Sequence, residues 1–121
     1  MYVIYYIWVM NANPLLKGTL QTIILKLLED NDRMYGYEIT QKVKEASTGE
    51  ILLTEGALYP ALHKLEAEGL LETTTEIVEG RARKYYSLTE QGGKAVTSKL
   101  DEARAFIDQL QSVLNLKPSL K

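Results

Sequence analysis

The chain has 121 residues, of which 45% are hydrophobic and 25% charged, the size and composition of one soluble globular domain. Its formal net charge is −2, so a nucleic-acid surface would have to come from cations that cluster locally. Cysteine is absent and His63 is the one histidine, which excludes disulfides and thiol chemistry. We therefore expect a binding protein without catalytic residues, metal site or cofactor, in a reducing, cytoplasmic compartment.

The first nine residues belong to an apolar run, MYVIYYIWVM, that stands apart from the rest of the chain. Ten residues are too few to cross a membrane, which takes about 20 in a helix. The basic start and small-residue cleavage site of a secretory signal are both missing. Two interpretations stay open: a β-prone segment that buries itself against the domain or a partner, or a hydrophobic extension that is not part of the natural protein.

The body of the chain begins with two predicted helices. Asn13-Pro14 offers an N-cap followed by proline at the first helical position, and leucines and isoleucines then recur at helical spacing as far as Asp30. A second, amphipathic helix begins near Gly36 and stops by Gly49. The run from Ile51 to Leu53 is too short for a helix and is predicted as a brief strand.

A third helix follows, with Thr54 as its N-cap and Gly69 ending it as a left-handed residue. Pro60 cannot donate to the carbonyl four residues earlier, so either the first turn is irregular or the regular helix begins closer to Ala57. The leucines of this helix point inward. The opposite, exposed face carries Gly56, Tyr59, Pro60 and His63, with Lys64 at its margin.

A β-hairpin comes next, with strands from Leu71 to Val78 and from Arg83 to Leu88 around a turn from Glu79 to Ala82. Its tip holds the densest positive charge of the chain, which favours contact with phosphates over an ordinary solvated turn. The cations are Arg81, Arg83 and Lys84.

Thr89 caps a final helix that ends by Pro118. Its apolar residues repeat at alternating spacings of four and three, which is a heptad seam. Such a seam could pack on its own domain, but one this narrow on a terminal helix favours a partner helix in a homodimer. The expected interface consists of Val96, Leu100, Ala103, Ile107, Leu110 and Leu114.

Three motifs occur in order: Tyr35-Gly36-Tyr37-Glu38-Ile39, then GALYPALHKLE from Gly56 with Gly69-Leu70, then GRARKYYSLT from Gly80 with Gly92. Together they resemble the PadR family of bacterial transcriptional regulators over about residues 15–114, and the single terminal helix resembles its short-tailed subgroup. The resemblance implies an α+β, mostly helical fold: a winged helix-turn-helix with a two-stranded wing and a C-terminal dimerisation helix. Ala57 departs from the usual Thr or Ser, and Ala82 from the usual wing-tip Pro, which implies a lost hydroxyl contact and a more mobile tip.

We expect the chain to divide into the hydrophobic extension at 1–9, for which the resemblance gives no account, a winged-helix DNA-binding domain at 10–88, and the dimerisation helix with its tail at 89–121. The resemblance implies a homodimeric repressor that binds double-stranded DNA at an inverted-repeat operator and is released by a small aromatic or drug-like effector. The expected DNA contacts are Gly56, Tyr59, His63 and Lys64 on the third helix, Arg81, Arg83 and Lys84 on the hairpin, and Tyr37 and Lys42 on the second helix.

Two other classes of function compete with this interpretation. A winged helix can serve protein–protein contact without binding DNA, and the acidic net charge favours that alternative. An enzyme is not expected, since no nucleophile, base and orienting group fall together in any motif.

Overall fold

The structure, a computed structural model, describes residues 14–116, and the interpretations of the first nine residues therefore lie outside it. The elements in chain order are α1 (Pro14–Asp30), β1 (Met34–Tyr35), α2 (Gly36–Ala46), α3 (Glu55–Ala67), β2 (Leu71–Val78), β3 (Arg81–Leu88) and α4 (Glu90–Leu114). This order confirms the mostly helical α+β fold expected from the sequence. Between residues 14 and 116, no helix combines the length and apolarity needed to cross a membrane.

The sheet has three antiparallel strands in the order β1-β3-β2. Strand β1 was not predicted, and it pairs Met34 with Tyr86 and Tyr35 with Tyr85. The strand expected from Ile51 to Leu53 is wrong, because those residues form an irregular connection before α3. They are half-buried without pairing to the sheet.

The hairpin turn is shorter than expected. Strands β2 and β3 stay in register from Leu71 opposite Leu88 as far as Val78 opposite Arg81, which leaves Glu79 and Gly80 as the turn. These two residues have φ of 53° and 79°, as a two-residue type I′ turn requires. The predicted four-residue turn is therefore wrong. Ala82 lies within β3 opposite Ile77, outside the two-residue turn.

The core lies between the helices and the inner face of the sheet. Tyr86 is its largest member and is 1% exposed, so burial raises the pKa of its phenol. Its fully buried aliphatic members come from α1, α2, α3 and α4, and they pack as one cluster: Ile24, Leu25, Ile39, Leu58, Leu62, Leu65 and Val96. The burial of three leucines in α3 leaves the opposite face of that helix toward solvent.

The caps of α3 match the expectation. The Ala57 amide donates to Thr54 Oγ1 at 3.2 Å, and the chain bends at Gly69, whose φ is +79°. The Leu70 amide donates to the Leu65 carbonyl at 3.0 Å across that bend. The helix begins at Glu55 in spite of Pro60, so the later start near Ala57 is wrong.

The start of α4 is fixed against the connection between α3 and β2. The Thr89 hydroxyl donates to the Gly69 carbonyl at 2.6 Å and accepts from the Gly92 amide at 3.0 Å. A Cβ added at position 92 would collide with the backbone carbonyl group of Leu70. The carbonyl carbon would lie only 3.0 Å from that Cβ. This close approach sets the direction in which α4 leaves the domain.

Candidate nucleic-acid interface

The centre of the outward face of α3 is formed by small or uncharged residues. Gly56, Pro60, His63 and Ala67 are all exposed and lie within a narrow sector of the helix, with exposed Lys64 beside them. A Cβ at Gly56 would meet nothing nearer than Thr54 Oγ1 at 3.9 Å, so a ligand can approach the backbone there. The structure thus keeps His63 and Lys64 free on one accessible surface.

Tyr59 occupies a different environment from the one expected. Its side chain is half-buried and packs against Gly36, where an added Cβ would lie 3.0 Å from Tyr59 Cζ. Its ring centroid is 6.3 Å from that of His63. Tyr59 therefore faces the start of α2, at the edge of the outward surface of α3, and glycine at position 36 is required by this contact.

A groove of about 670 Å³ separates Tyr59 from the wing. Tyr35 and Gly36 line it on one side, and the last residue of β2, the turn and the start of β3 line it on the other. The groove exists because β1 pairs with Tyr85 and Tyr86 alone. The chain then turns away into α2, and residues 81–84 of β3 have no second strand beside them in the part of the chain that the structure describes.

The three wing cations all line the groove, but their side chains make different contacts. Arg81 is exposed at the start of β3. Arg83 is half-buried, with its guanidinium carbon 4.1 Å from the ring centroid of Tyr35. Side chains alternate along a strand, so Lys84 faces the other way, and its Nζ lies 3.9 Å from a carboxylate oxygen of Glu66. Arg81 and Lys84 are thus exposed, whereas Arg83 is half-buried.

The outer face of the sheet carries a further cation that the sequence did not reveal. The guanidinium carbon of Arg33 lies 4.0 Å from the ring centroid of Tyr85, and the same group forms an ion pair with Glu76. The hydrogen bond that Arg33 donates in this pair lowers the pKa of the Glu76 carboxyl below its ordinary value. A hydrogen bond with Tyr85 raises the pKa of the Arg83 guanidinium above its ordinary value. No local sequence signal connects residue 33 to residue 76, because their contact depends on the sheet.

The two expected residues of α2 are exposed but lie on different sides of the helix. Tyr37 is 63% exposed and directly follows Gly36, which lines the groove. Lys42 comes five residues later, with its Nζ 4.0 Å from Glu45 Oε2. Among residues 14–116, no three acidic or histidine side chains come together in a way that could hold a metal ion.

Residues 24–98 match the model of the transcriptional regulator PadR-like family. The chain belongs to the PadR-like family. The transcriptional regulator Rv3488 of Mycobacterium tuberculosis is 38% identical over 91 residues, which cover 75% of this chain and 78% of that protein. These matches make the chain a transcriptional regulator, as its sequence motifs implied, and the named relatives are regulators rather than enzymes.

Solved structures of PadR-like proteins share the fold. A transcriptional regulator from Clostridium thermocellum superposes with a TM-score of 0.71 at 30% identity, covering 84% of this chain and 94% of that one. A PadR family regulator from Eggerthella lenta gives 0.68 at 28% identity, covering 83% and 81%. The expected winged helix is therefore confirmed, with the β2–β3 hairpin as the wing.

The terminal helix of this PadR-like regulator divides into two parts. Val96 is 1% exposed in the core of its own chain, so it has no surface for a partner, and Leu100 also packs partly against that core. Beyond them the apolar face is open: Ile107 and Leu114 are each 54% exposed. Phe106 and Val113, at 53% and 80% exposure, widen this face and were absent from the predicted seam.

Proposed function

We propose that this PadR-like regulator binds double-stranded DNA with α3 in the major groove and the wing against the backbone. The observation that carries the proposal is the outward face of α3. It has small residues at Gly56 and Ala67, where the backbone can approach closely, and no acidic side chain at its centre. A helix of this width fits the major groove of B-DNA, where base edges can be read directly.

Base readout in this arrangement falls to His63 and Lys64. Both side chains are exposed, and both can donate hydrogen bonds to the acceptors of guanine or thymine. Tyr59 would contact the sugar–phosphate backbone instead of the bases, because its ring faces the groove between α3 and the wing, where that backbone would run. Tyr37, at the other side of that groove, supplies a second phenol to the backbone, and Lys42 contributes a more distant positive charge.

The wing supplies affinity without sequence information. Arg81 is exposed at the start of β3, and Arg83 and Lys84 bring two further positive charges to the same groove. Each phosphate that a cation neutralises releases condensed counterions, which favours binding and makes it depend on salt. The groove lining holds three cations and one acid, Glu79, so its local charge is positive although the net charge of the chain is −2.

The open apolar face of α4 suits a homodimer, in which residues 89–121 join two DNA-binding domains of residues 10–88. A two-fold dimer presents two copies of α3 and would recognise an inverted repeat. The proposed role is that of a cytoplasmic repressor. A small aromatic effector held beside Ala103, between subunits, would release DNA if it favours a dimer whose two recognition helices have the wrong spacing.

DNA binding is tested by titrating the full chain into mixed-sequence duplex DNA at low and moderate salt. The proposal predicts measurable binding at low salt and a steep loss of affinity as salt rises. Absence of binding at both salt concentrations would favour the alternative, a winged helix used for contact with another protein.

A further inference from the structure

Four side chains on the outer face of the sheet alternate between cation and ring: Arg33, Tyr85, Tyr35 and Arg83. Arg33 lies over the ring of Tyr85, and Arg83 over the ring of Tyr35. The two rings meet edge to face, with centroids 5.6 Å apart and planes at 81°. We call these four residues the outer stack. Its contacts join residues that are 50 positions apart in the sequence.

Tyr35 connects the outer stack to the helices, because it belongs to two elements at once. It is the last residue of β1, paired with Tyr85 of the wing, and it is also the N-cap of α2. Arg83 lies two residues before Tyr85, closer to the tip of the hairpin, in the part that projects past β1. The contact between Arg83 and Tyr35 therefore connects the projecting wing to the helix-turn-helix.

The wing is held on its other face by a weaker contact. Lys84 and Glu66 lie 3.9 Å apart with both side chains more than one-third exposed, and an exposed pair of this kind contributes little. Stacking of a guanidinium on a ring depends on the planar shape of arginine, which the ammonium group of lysine cannot reproduce. On the outer face, the projecting wing is held by the stack of Arg83 on Tyr35 and by the ion pair between Arg33 and Glu76.

We propose that Arg83 is a positioning residue: its planar guanidinium, stacked on Tyr35, fixes the angle of the wing against α2 and α3 for DNA binding. This proposal rests on the DNA-binding function proposed above. It differs from a purely electrostatic role, in which any positive charge at position 83 would serve equally well.

The test compares Arg83→Lys with Arg104→Lys, two substitutions that keep the charge. Arg83→Lys should weaken binding to duplex DNA by about two- to fivefold per wing, with the salt dependence unchanged. Arg104→Lys changes an exposed cation of α4 outside the proposed DNA-binding surface and should bind like the wild type. Tyr35→Leu should reproduce the loss, Tyr35→Phe should retain affinity, and the Tyr35→Leu/Arg83→Lys pair should be no weaker than either single variant. Urea unfolding of every variant confirms that it is folded under the assay conditions.

A second readout needs no DNA. Amide hydrogen exchange over residues 75–84 should be about two- to fivefold faster in Arg83→Lys and Tyr35→Leu than in the wild type and in Arg104→Lys, because loss of the stack frees the wing. Wild-type affinity in Arg83→Lys, or unchanged exchange, would overturn the positioning role. Failure of the wild-type chain to bind DNA would instead contradict the proposed function, while the exchange measurement would still decide whether the stack holds the wing.

Discussion

Tyr59 of α3 packs against the backbone of Gly36, the first residue of α2, closely enough that a Cβ at position 36 would lie 3.0 Å from Tyr59 Cζ. Helices α2 and α3 therefore meet through a ring and a glycine. Because this contact places Tyr59 at the groove beside the wing, it connects the packing of the helices to the surface proposed to meet DNA.

We predict that Gly36→Ala lowers the free energy of unfolding by about 1–3 kcal/mol, since Tyr59 must move to accommodate the methyl group. Urea unfolding measures this. Gly18→Ala is the matched control: it lies in α1 with nothing within 4 Å of an added Cβ, and it should stabilise the protein by about 0.5–1 kcal/mol. In a Tyr59→Ala background the cost of Gly36→Ala should disappear. An equal cost in both backgrounds would show that the glycine is needed for another reason.

Neighbouring glycines in α4 give a second prediction about stability. Gly92→Ala places a methyl group against the backbone of Leu70 and should cost about 1–3 kcal/mol or more, because backbone cannot turn aside as a side chain can. Gly93→Ala meets nothing within 4 Å and should stabilise the helix by about 0.5–1 kcal/mol. Thermal or urea unfolding of both variants checks this. Similar effects at the two positions would contradict the fixed start of α4.

The sequence was sufficient to predict the elements whose causes are local. The capping residues Thr54 and Thr89 and the left-handed Gly69 each act within a few residues of their own position, and all three do so in the structure. Strand β1 could not be predicted, because two residues carry no periodicity and form a strand by pairing with Tyr85 and Tyr86, which lie about 50 residues later.

The same distinction applies to the candidate site. Residue types and spacing singled out the exposed face of α3 and the basic hairpin. They could not show that Arg83 stacks on Tyr35 or that Lys84 approaches Glu66, because the alternation of a strand separates neighbours that are adjacent in sequence. Val96 was misplaced for a related reason: a heptad seam looks the same whether the helix packs on its own domain or on a partner.

The salt dependence of DNA binding should measure how many phosphate contacts the wing makes. Arg81→Ala removes the exposed wing cation and should reduce the slope of log affinity against log salt by about 0.9 per subunit. Arg104→Ala, an exposed cation on α4 near Asp101, should leave the slope unchanged. Affinity titrations at four or five salt concentrations measure both. If the two variants behave alike, the wing is not the backbone contact.

The open face of α4 should control assembly. Ile107→Asp places a charge in the centre of that face, which costs several kcal/mol if the position is buried between subunits, so the variant should be monomeric by light scattering and should lose operator binding. Ser112→Asp, on the opposite side of the same helix, should stay dimeric. A dimeric Ile107→Asp variant would place the interface elsewhere and would remove the support for an effector site between the subunits.

Selection of bound duplexes from a randomised library, followed by affinity measurements on the selected and a random duplex, tests the central claim that the outward face of α3 reads DNA sequence. The account predicts an enriched inverted repeat with half-sites about one helical turn apart. It also predicts that His63→Ala and Lys64→Ala each reduce the ratio of selected to random affinity by about 1–3 kcal/mol, while Lys94→Ala on α4 does not. No enriched sequence, or an unchanged ratio in both α3 variants, would contradict it.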